Sequence, residues 1–222
     1  MPKTVADSQK AAINPSDKAW VQHWARTAQH YDEKVRYVIG TATYEALRQK
    51  LLDEGPLGDV LELACGTGEY TKIVAQTATH VTATDLGDEM LVMARAKLVN
   101  HPNVTFEKAD CEATAFADAQ FNTVLMANVI AALDATKALR ECARVLKPGG
   151  RLFIITYTFR MSPLAYLRFG FKSLTAFGLP PRGRRDPLPE ELRQLATEAG
   201  FAVETAELVG EGVKAVYVRA RK

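Results

Sequence analysis

The sequence predicts a doubly wound α/β domain, with seven strands in a mostly parallel sheet, helices on both faces and a C-terminal antiparallel hairpin. Three observations predict it. From Asp59 onward, short apolar runs alternate with helix-length segments, the rhythm of strand–helix–strand units that pair in parallel. Gly66 and Gly68 interrupt the first unit between strand and helix, where such domains place a ligand-binding turn. The last two apolar runs are separated only by Gly210-Glu211-Gly212, too short for a crossover, so they pair antiparallel.

In chain order, residues 1–15 are polar, small and aperiodic, and read as a loose arm ahead of one domain over 16–222. Residues 16–54 form its N-terminal helical cap. Ser16 caps a helix beginning near Asp17, with Trp20, His23, Trp24, Thr27, His30 and Tyr31, several on one face. A second helical pattern, Val35, Val38, Ile39, Ala42 and Ala46, runs to the break at Gly55-Pro56-Leu57-Gly58. Strands follow at 60–64, 81–84, 104–107, 123–127 and 151–156, with helices at 69–77 and 88–99. Asp134 caps a helix whose Ala138, Leu139, Cys142, Val145 and Leu146 make an apolar stripe, and Lys147-Pro148-Gly149-Gly150 ends it. A helix over 190–199, closed by Gly200, leads into the hairpin strands 202–209 and 214–219.

Composition narrows the function. With 28 Lys and Arg against 26 Asp and Glu, the net charge is +2, so no nucleic-acid partner is expected. Three cysteines, Cys65, Cys111 and Cys142, without a close pair, predict neither a disulfide framework nor a metal site. The first residues lack the apolar core of a signal peptide, and no run of eighteen apolar residues occurs. A cytoplasmic enzyme acting on a small molecule is the expectation.

The strongest chemical signal is Leu61-Glu62-Leu63-Ala64-Cys65-Gly66-Thr67-Gly68. Its glycines let the chain turn sharply and let a ligand approach the main chain. Asp85, at the tip of the second strand, is placed to accept hydrogen bonds from both ribose hydroxyls of an adenosine-bearing ligand. A nicotinamide-nucleotide enzyme is the alternative. It asks for a third glycine, and Thr71 occupies that position.

Residues 60–156 resemble the class I S-adenosylmethionine-dependent methyltransferases, particularly the small-molecule branch with the quinone C-methyltransferases and methyltransferase type 11 domains. Residues 61–68 resemble that family's glycine-rich motif, and Asp85-Leu86-Gly87-Asp88-Glu89-Met90-Leu91 its acidic motif. Lys108-Ala109-Asp110-Cys111-Glu112 resembles the adenine-meeting segment, and residues 139–153 the late helix, turn and strand. The resemblance implies a Rossmann-like fold and S-adenosyl-L-methionine as cofactor, transferring its methyl group without metal to an oxygen, nitrogen, sulfur or carbon nucleophile. By the same resemblance, Ala64, Gly66 and Gly68 would pass close to the methionine portion, and Glu62 would order the loop or the ligand's amino group. Asp85 would hold the ribose, Leu86 and Met90 would pack on adenine, and Asp110 and the Cys111 amide would meet its polar edge. Asn128 would sit near the sulfonium and the acceptor. Ala127-Asn128-Val129-Ile130 lacks the Pro-Pro-aromatic pattern of nucleic-acid amine methyltransferases, which disfavours a flipped base as acceptor.

A catalytic base is harder to find. Tyr31 would cover the methionine end, with His30 or His23 taking a proton from the acceptor; the alternative is that this aromatic helix simply packs on the core. Tyr157 is a further candidate for the pocket rim. Residues 158–186 form an insertion mixing Met161, Leu164, Leu167, Phe171 and Phe177 with Arg160, Arg168, Lys172, Arg182, Arg184 and Arg185. It reads as a lid over an apolar acceptor, as an amphipathic element making peripheral membrane contact, or as an edge helix with solvated arginines. A silent cofactor-binding protein acting through partners also stays open, and oligomeric state is not legible.

Overall fold

The middle of the sheet must be dry on both faces, and strands rich in aliphatic residues occupy it. In the computed structural model, β1 (Gly58–Leu63) and β4 (Phe121–Ala127) pair in parallel, Val60 opposite Thr123 and Leu63 opposite Met126. Their Val60, Leu61, Leu63, Val124, Leu125 and Met126 are all fully buried. The structure describes residues 15–158, 163–178 and 187–222. The arm therefore lies outside the described residues up to residue 14, as do 159–162 and 179–186 of the insertion and the side chain of Ser16.

Around this pair the sheet is completed by β2 (Ala78–Asp85), β3 (Val104–Lys108), β5 (Leu146–Thr158), β6 (Ala202–Val209) and β7 (Lys214–Arg221). The strand order is β3-β2-β1-β4-β5-β7-β6, with β1 to β5 parallel and β7 antiparallel to both neighbours. Alternate residues feed two cores. Val60, Val81, Leu125 and Phe153 pack toward one face with α3 (Thr41–Asp53), α4 (Glu69–Val74) and α5 (Asp88–Lys97). Leu61, Val124, Leu152 and Val218 pack toward the other with α6 (Ala135–Val145) and α8 (Pro189–Glu198).

Asp134 caps α6 as its sequence suggests, its carboxylate accepting from the amides of Thr136 and Lys137. The cap region differs from expectation in two places. The first helix, α1 (Pro15–Ala25), stops before Thr27, whose amide and hydroxyl both take the Trp24 carbonyl at 2.9 and 3.0 Å. A 3-10 turn (Ala28–His30) follows, and α2 (Tyr31–Ile39) restarts at Tyr31. The second pattern is split at Gly40, whose φ of 85° is open to glycine at little cost, so α2 and α3 are separate helices. β5 also begins earlier than expected, at Leu146, because the 147–150 turn pairs with Lys222 through Gly149 and Gly150.

The cap is tied to the hairpin by one threonine. Thr43, fully buried on α3, shares its one hydroxyl proton between the carbonyls of Glu211 (3.0 Å) and Val213 (2.9 Å), and accepts from the Glu211 amide. Gly210 must be glycine here, since a Cβ would stand 2.3 Å from the Thr43 hydroxyl. Thr43→Val keeps the shape and strips these bonds from groups that stay buried, so chemical denaturation should show a loss of about 1–3 kcal/mol. A change below half a kcal/mol would mean the hairpin tip is held by something else.

α7 (Pro163–Phe177) is the described part of the insertion and packs on α2. Among the described residues, no helix is long and apolar enough to cross a membrane.

Candidate functional site

The strand order reverses between β1 and β4, and in open parallel sheets a crevice forms there, beyond the carboxyl ends of the strands. Local backbone deepens it. Ala64, just after β1, and Asn128, just after β4, have φ of 57° and 61°, a region non-glycine residues enter at a cost of about 1 kcal/mol or more. The chains are held in these turns by the Cys65 amide on the Thr84 carbonyl (2.8 Å) and the Asn128 amide on the Ile155 carbonyl (2.7 Å). The two loops consequently peel away from each other and leave the crevice between them.

Two cavities of about 120 and 40 Å³ meet there, sharing Tyr31, Ala64, Gly66, Ala127 and Asn128. Asp85, Leu86 and Met90 line the larger one from the second strand and its helix, with Asp110 and Cys111 opposite. Glu62, Thr67, Tyr70 and Tyr157 line the smaller one. Eleven of the residues expected from sequence, Tyr157 among them, are thus brought together. Three are not. Gly68 borders neither cavity; it starts α4 at φ 84° and lets that helix lie against α5, where a Cβ would meet Leu98 at 2.7 Å. His30 has a 62% exposed side chain 3.9 Å from Glu33 and is not placed to take a proton from anything in the crevice. His23 lines neither cavity and stands edge-on to Trp20 and Trp24 at 6.1 and 4.7 Å.

Asp85 is the organising group of the larger cavity. Its two oxygens accept from the amides of Gly66 (2.9 Å) and Gly87 (2.8 Å), so one carboxylate fixes both loops. Burial pushes this carboxyl above its ordinary range against those amides. Each oxygen keeps acceptor capacity for a further donor. Glu62 organises the smaller cavity. It is buried beneath the glycine turn, with one oxygen accepting from the Thr71 hydroxyl at 2.5 Å and the other, Oε1, without a partner. Burial, reinforced by Asp85 and opposed by the Thr71 bond, pushes the carboxyl up to about 8. Asn128 Oδ1 is a second buried oxygen without a partner. A ligand with a ribose diol and an ammonium group supplies the kind of donors that these acceptors lack, so the residues present fit the cofactor the resemblance implies.

Sequence reading missed the groups that close the site. Asp32 on α2 accepts from the Thr67 hydroxyl and from Lys97, which also meets Glu69 at 3.0 Å. Glu69 accepts from Tyr44 (2.9 Å) and Arg36 (3.0 Å). Burial opposes its ionisation, but Lys97, Tyr44 and Arg36 outweigh that and hold the carboxyl below the usual range. This network latches the cap across the glycine turn. Trp20, Val21 and Trp24 wall the larger cavity from α1, and Phe177 of α7 packs on Trp24 and Tyr31 at 5.7 and 6.0 Å. Their only sequence signal is the aromatic spacing of the cap. Tyr157 is buried, its hydroxyl 3.0 Å from that of Tyr70 and hydrogen-bonded by the Asn128 side chain.

The three cysteines are free and buried, and burial pushes each thiol up, away from the reactive thiolate. Among the described residues no group of His, Cys, Asp and Glu is arranged to hold a metal ion.

Comparison with known proteins agrees with this geometry. Residues 61–154 match the family model described as "Methyltransferase domain". The chain is 33% identical over 159 residues to a ubiquinone biosynthesis O-methyltransferase of Nitrosospira multiformis, a match covering 68% of this chain and 65% of the relative. It is 32% identical over 181 residues to a ubiquinone/menaquinone biosynthesis C-methyltransferase of Marinomonas sp., covering 71% of this chain and 72% of the relative. The chain thus spans about two thirds of these relatives' own length. In fold it is similar to a SAM-dependent methyltransferase from Aquifex aeolicus, with a TM-score of 0.68 at 22% identity, over 89% of this chain and 97% of that one.

Proposed function

Because the chain belongs to the class I S-adenosylmethionine-dependent methyltransferases, we propose that it methylates a small aromatic acceptor of the quinone-precursor kind, at a ring hydroxyl or an adjacent ring carbon. The observation that carries this reading is the pairing of a polar, donor-seeking crevice floor with a roof of Trp20, Val21 and Trp24. The names of the relatives, which specify O- and C-methylation in quinone biosynthesis, support the acceptor class.

When bound, S-adenosylmethionine supplies an electrophilic methyl group on a sulfonium. Everything else falls to the chain. Asp85 would hold the ribose diol with the acceptor directions that Gly66 and Gly87 leave free. Leu86 and Met90 would cover the adenine, with Asp110 and the Cys111 amide at its polar edge. Glu62 would take the ammonium through its unpartnered oxygen, and Ala64 and Gly66 would lie along the methionine stem. The reacting atoms then belong where the cavities join, beside Tyr31 and Asn128. An amide is not a base, so Asn128 acts by position. Its Oδ1 would orient the acceptor's hydroxyl, while its turned backbone and its bond to Tyr157 fix the amide plane. The tryptophans and Tyr31 exclude water from the displacement.

The test is a panel of phenols, catechols, hydroquinones, thiols and amines incubated with the protein and labelled cofactor. Transfer to ring hydroxyls or ring carbons is the expected result; turnover confined to thiols or amines sinks the acceptor class. Asn128→Ala should lower kcat about tenfold, the worth of ~1.4 kcal/mol, with cofactor affinity changed less than threefold. An affinity loss equal to the loss in kcat would assign Asn128 to cofactor binding alone.

A further inference from the structure

α7 faces two environments. At its C-terminal end Phe177 packs inward on Trp24 and Tyr31, which line the crevice. Leu167, Phe171 and Leu174, at helical spacing, share a stripe turned about 90° from Phe177 around the helix and are 70, 69 and 49% exposed. Tyr37 of α2, 54% exposed, extends this apolar face, and Lys172 lies 4.8 Å from its ring. Scattered surface leucines are ordinary, but three large apolar side chains, Tyr37, Leu167 and Phe171, around one groove with Leu174 exposed nearby on the same helix are not.

We propose that this face of α7 and Tyr37 rests on an anionic lipid bilayer, with the helix axis in the membrane plane. Fifteen residues of helix are about 22 Å long, short of the ~30 Å hydrocarbon core, so α7 lies on a bilayer rather than through it. Charge selects the occupant. Residues 158–186 contain six Arg and Lys and one acidic residue, and α7 itself contains no acid. Arg168 and Lys172 lie on α7 itself, so a second copy packed α7 against α7 would bring like charges together, whereas anionic headgroups neutralise them. The docked face would place the Phe177 end of α7, and with it the mouth of the crevice, beside the lipid. Delivery of a lipophilic ring through that mouth rests on the acceptor proposed above; adhesion to lipid does not, and the two fail separately.

The experiment is co-sedimentation of the full chain with vesicles of mixed phosphatidylcholine and phosphatidylglycerol, against phosphatidylcholine alone. Partitioning should favour the anionic vesicles and weaken at high salt. The exposed double substitution Leu167→Ser with Phe171→Ser should reduce partitioning about tenfold or more, leaving circular dichroism, Tm and cofactor affinity unchanged. Methyl transfer to a water-soluble acceptor should be equal in both proteins, whereas transfer to a vesicle-borne acceptor should fall only in the variant. No partitioning to anionic vesicles, or equal partitioning of the double variant, overturns the proposal. So does a concentration-dependent dimer that the double substitution disperses without any lipid binding.

Discussion

Asp85→Ala should weaken S-adenosylmethionine binding about a hundredfold, measured by calorimetry, and abolish the cofactor's thermal stabilisation at concentrations that saturate the wild type. Two hydroxyl-to-carboxylate hydrogen bonds are each worth ~1.5–3 kcal/mol, and a hundredfold change in Kd needs only ~2.7 kcal/mol. The effect has a second source. Asp85 holds the Gly66 and Gly87 amides at 2.9 and 2.8 Å, so its removal releases the two loops that shape the larger cavity. Asp85→Asn separates the contributions. It keeps the size, but its NH₂ must point at one of those amides, so the loop it faces is repelled while the other stays held. Asparagine should therefore bind more weakly than wild type but more tightly than alanine. A Kd for the alanine variant within threefold of wild type would show that the ribose is not held at this carboxylate.

The reach of the sequence ended where contacts ceased to be local. Strand positions were legible from apolar runs because each run has its own period and its own turn; β6 is Ala202–Val209, as the alternation suggests. The crevice was legible because Gly66, Asp85, Asp110 and Asn128 each lie at or within three residues of a strand's carboxyl end, and strand order then brings them together. The cap was less so. Its helices break at Thr27, where a hydroxyl competes for a carbonyl, and at Gly40, and neither break disturbs the apolar spacing. Lys97 could not be read as part of the site at all, since its partner Asp32 lies 65 residues away and on another element. Thr71 shows the same point in reverse. By sequence it is the residue that is not the third glycine; in the fold it is fully buried and donates to Glu62, while Gly68 supplies the close helix packing.

Burial of Glu62, which its bond from Thr71 only partly offsets, makes the protein's stability depend on pH in the sense opposite to most carboxylates. The Glu62 carboxyl is raised to about 8 in the fold, from about 4.5 in an unfolded chain. Below about pH 4.5 both states hold the proton, and its contribution to stability is fully present. Between the two values the folded state keeps a proton that the unfolded state has released, so stability falls by ~1.4 kcal/mol per pH unit. Above about 8 both are ionised and the loss is complete, up to about 5 kcal/mol. Glu62→Gln keeps an oxygen for the Thr71 hydroxyl and cannot ionise, so urea titrations from pH 5 to 9 should show a flatter profile and a variant more stable than wild type at the alkaline end. Cofactor binding should reverse the proton's position. An ammonium beside Glu62 favours the carboxylate, so binding near pH 7 should release close to one proton, seen as a dependence of the calorimetric heat on the buffer's ionisation enthalpy. In Glu62→Gln that release should vanish and affinity should fall about tenfold, as expected from the loss of one charge-assisted hydrogen bond worth ~1.5 kcal/mol. Equal proton release by both proteins would place the ammonium elsewhere, and an unchanged stability profile would mean that Glu62 is ionised throughout.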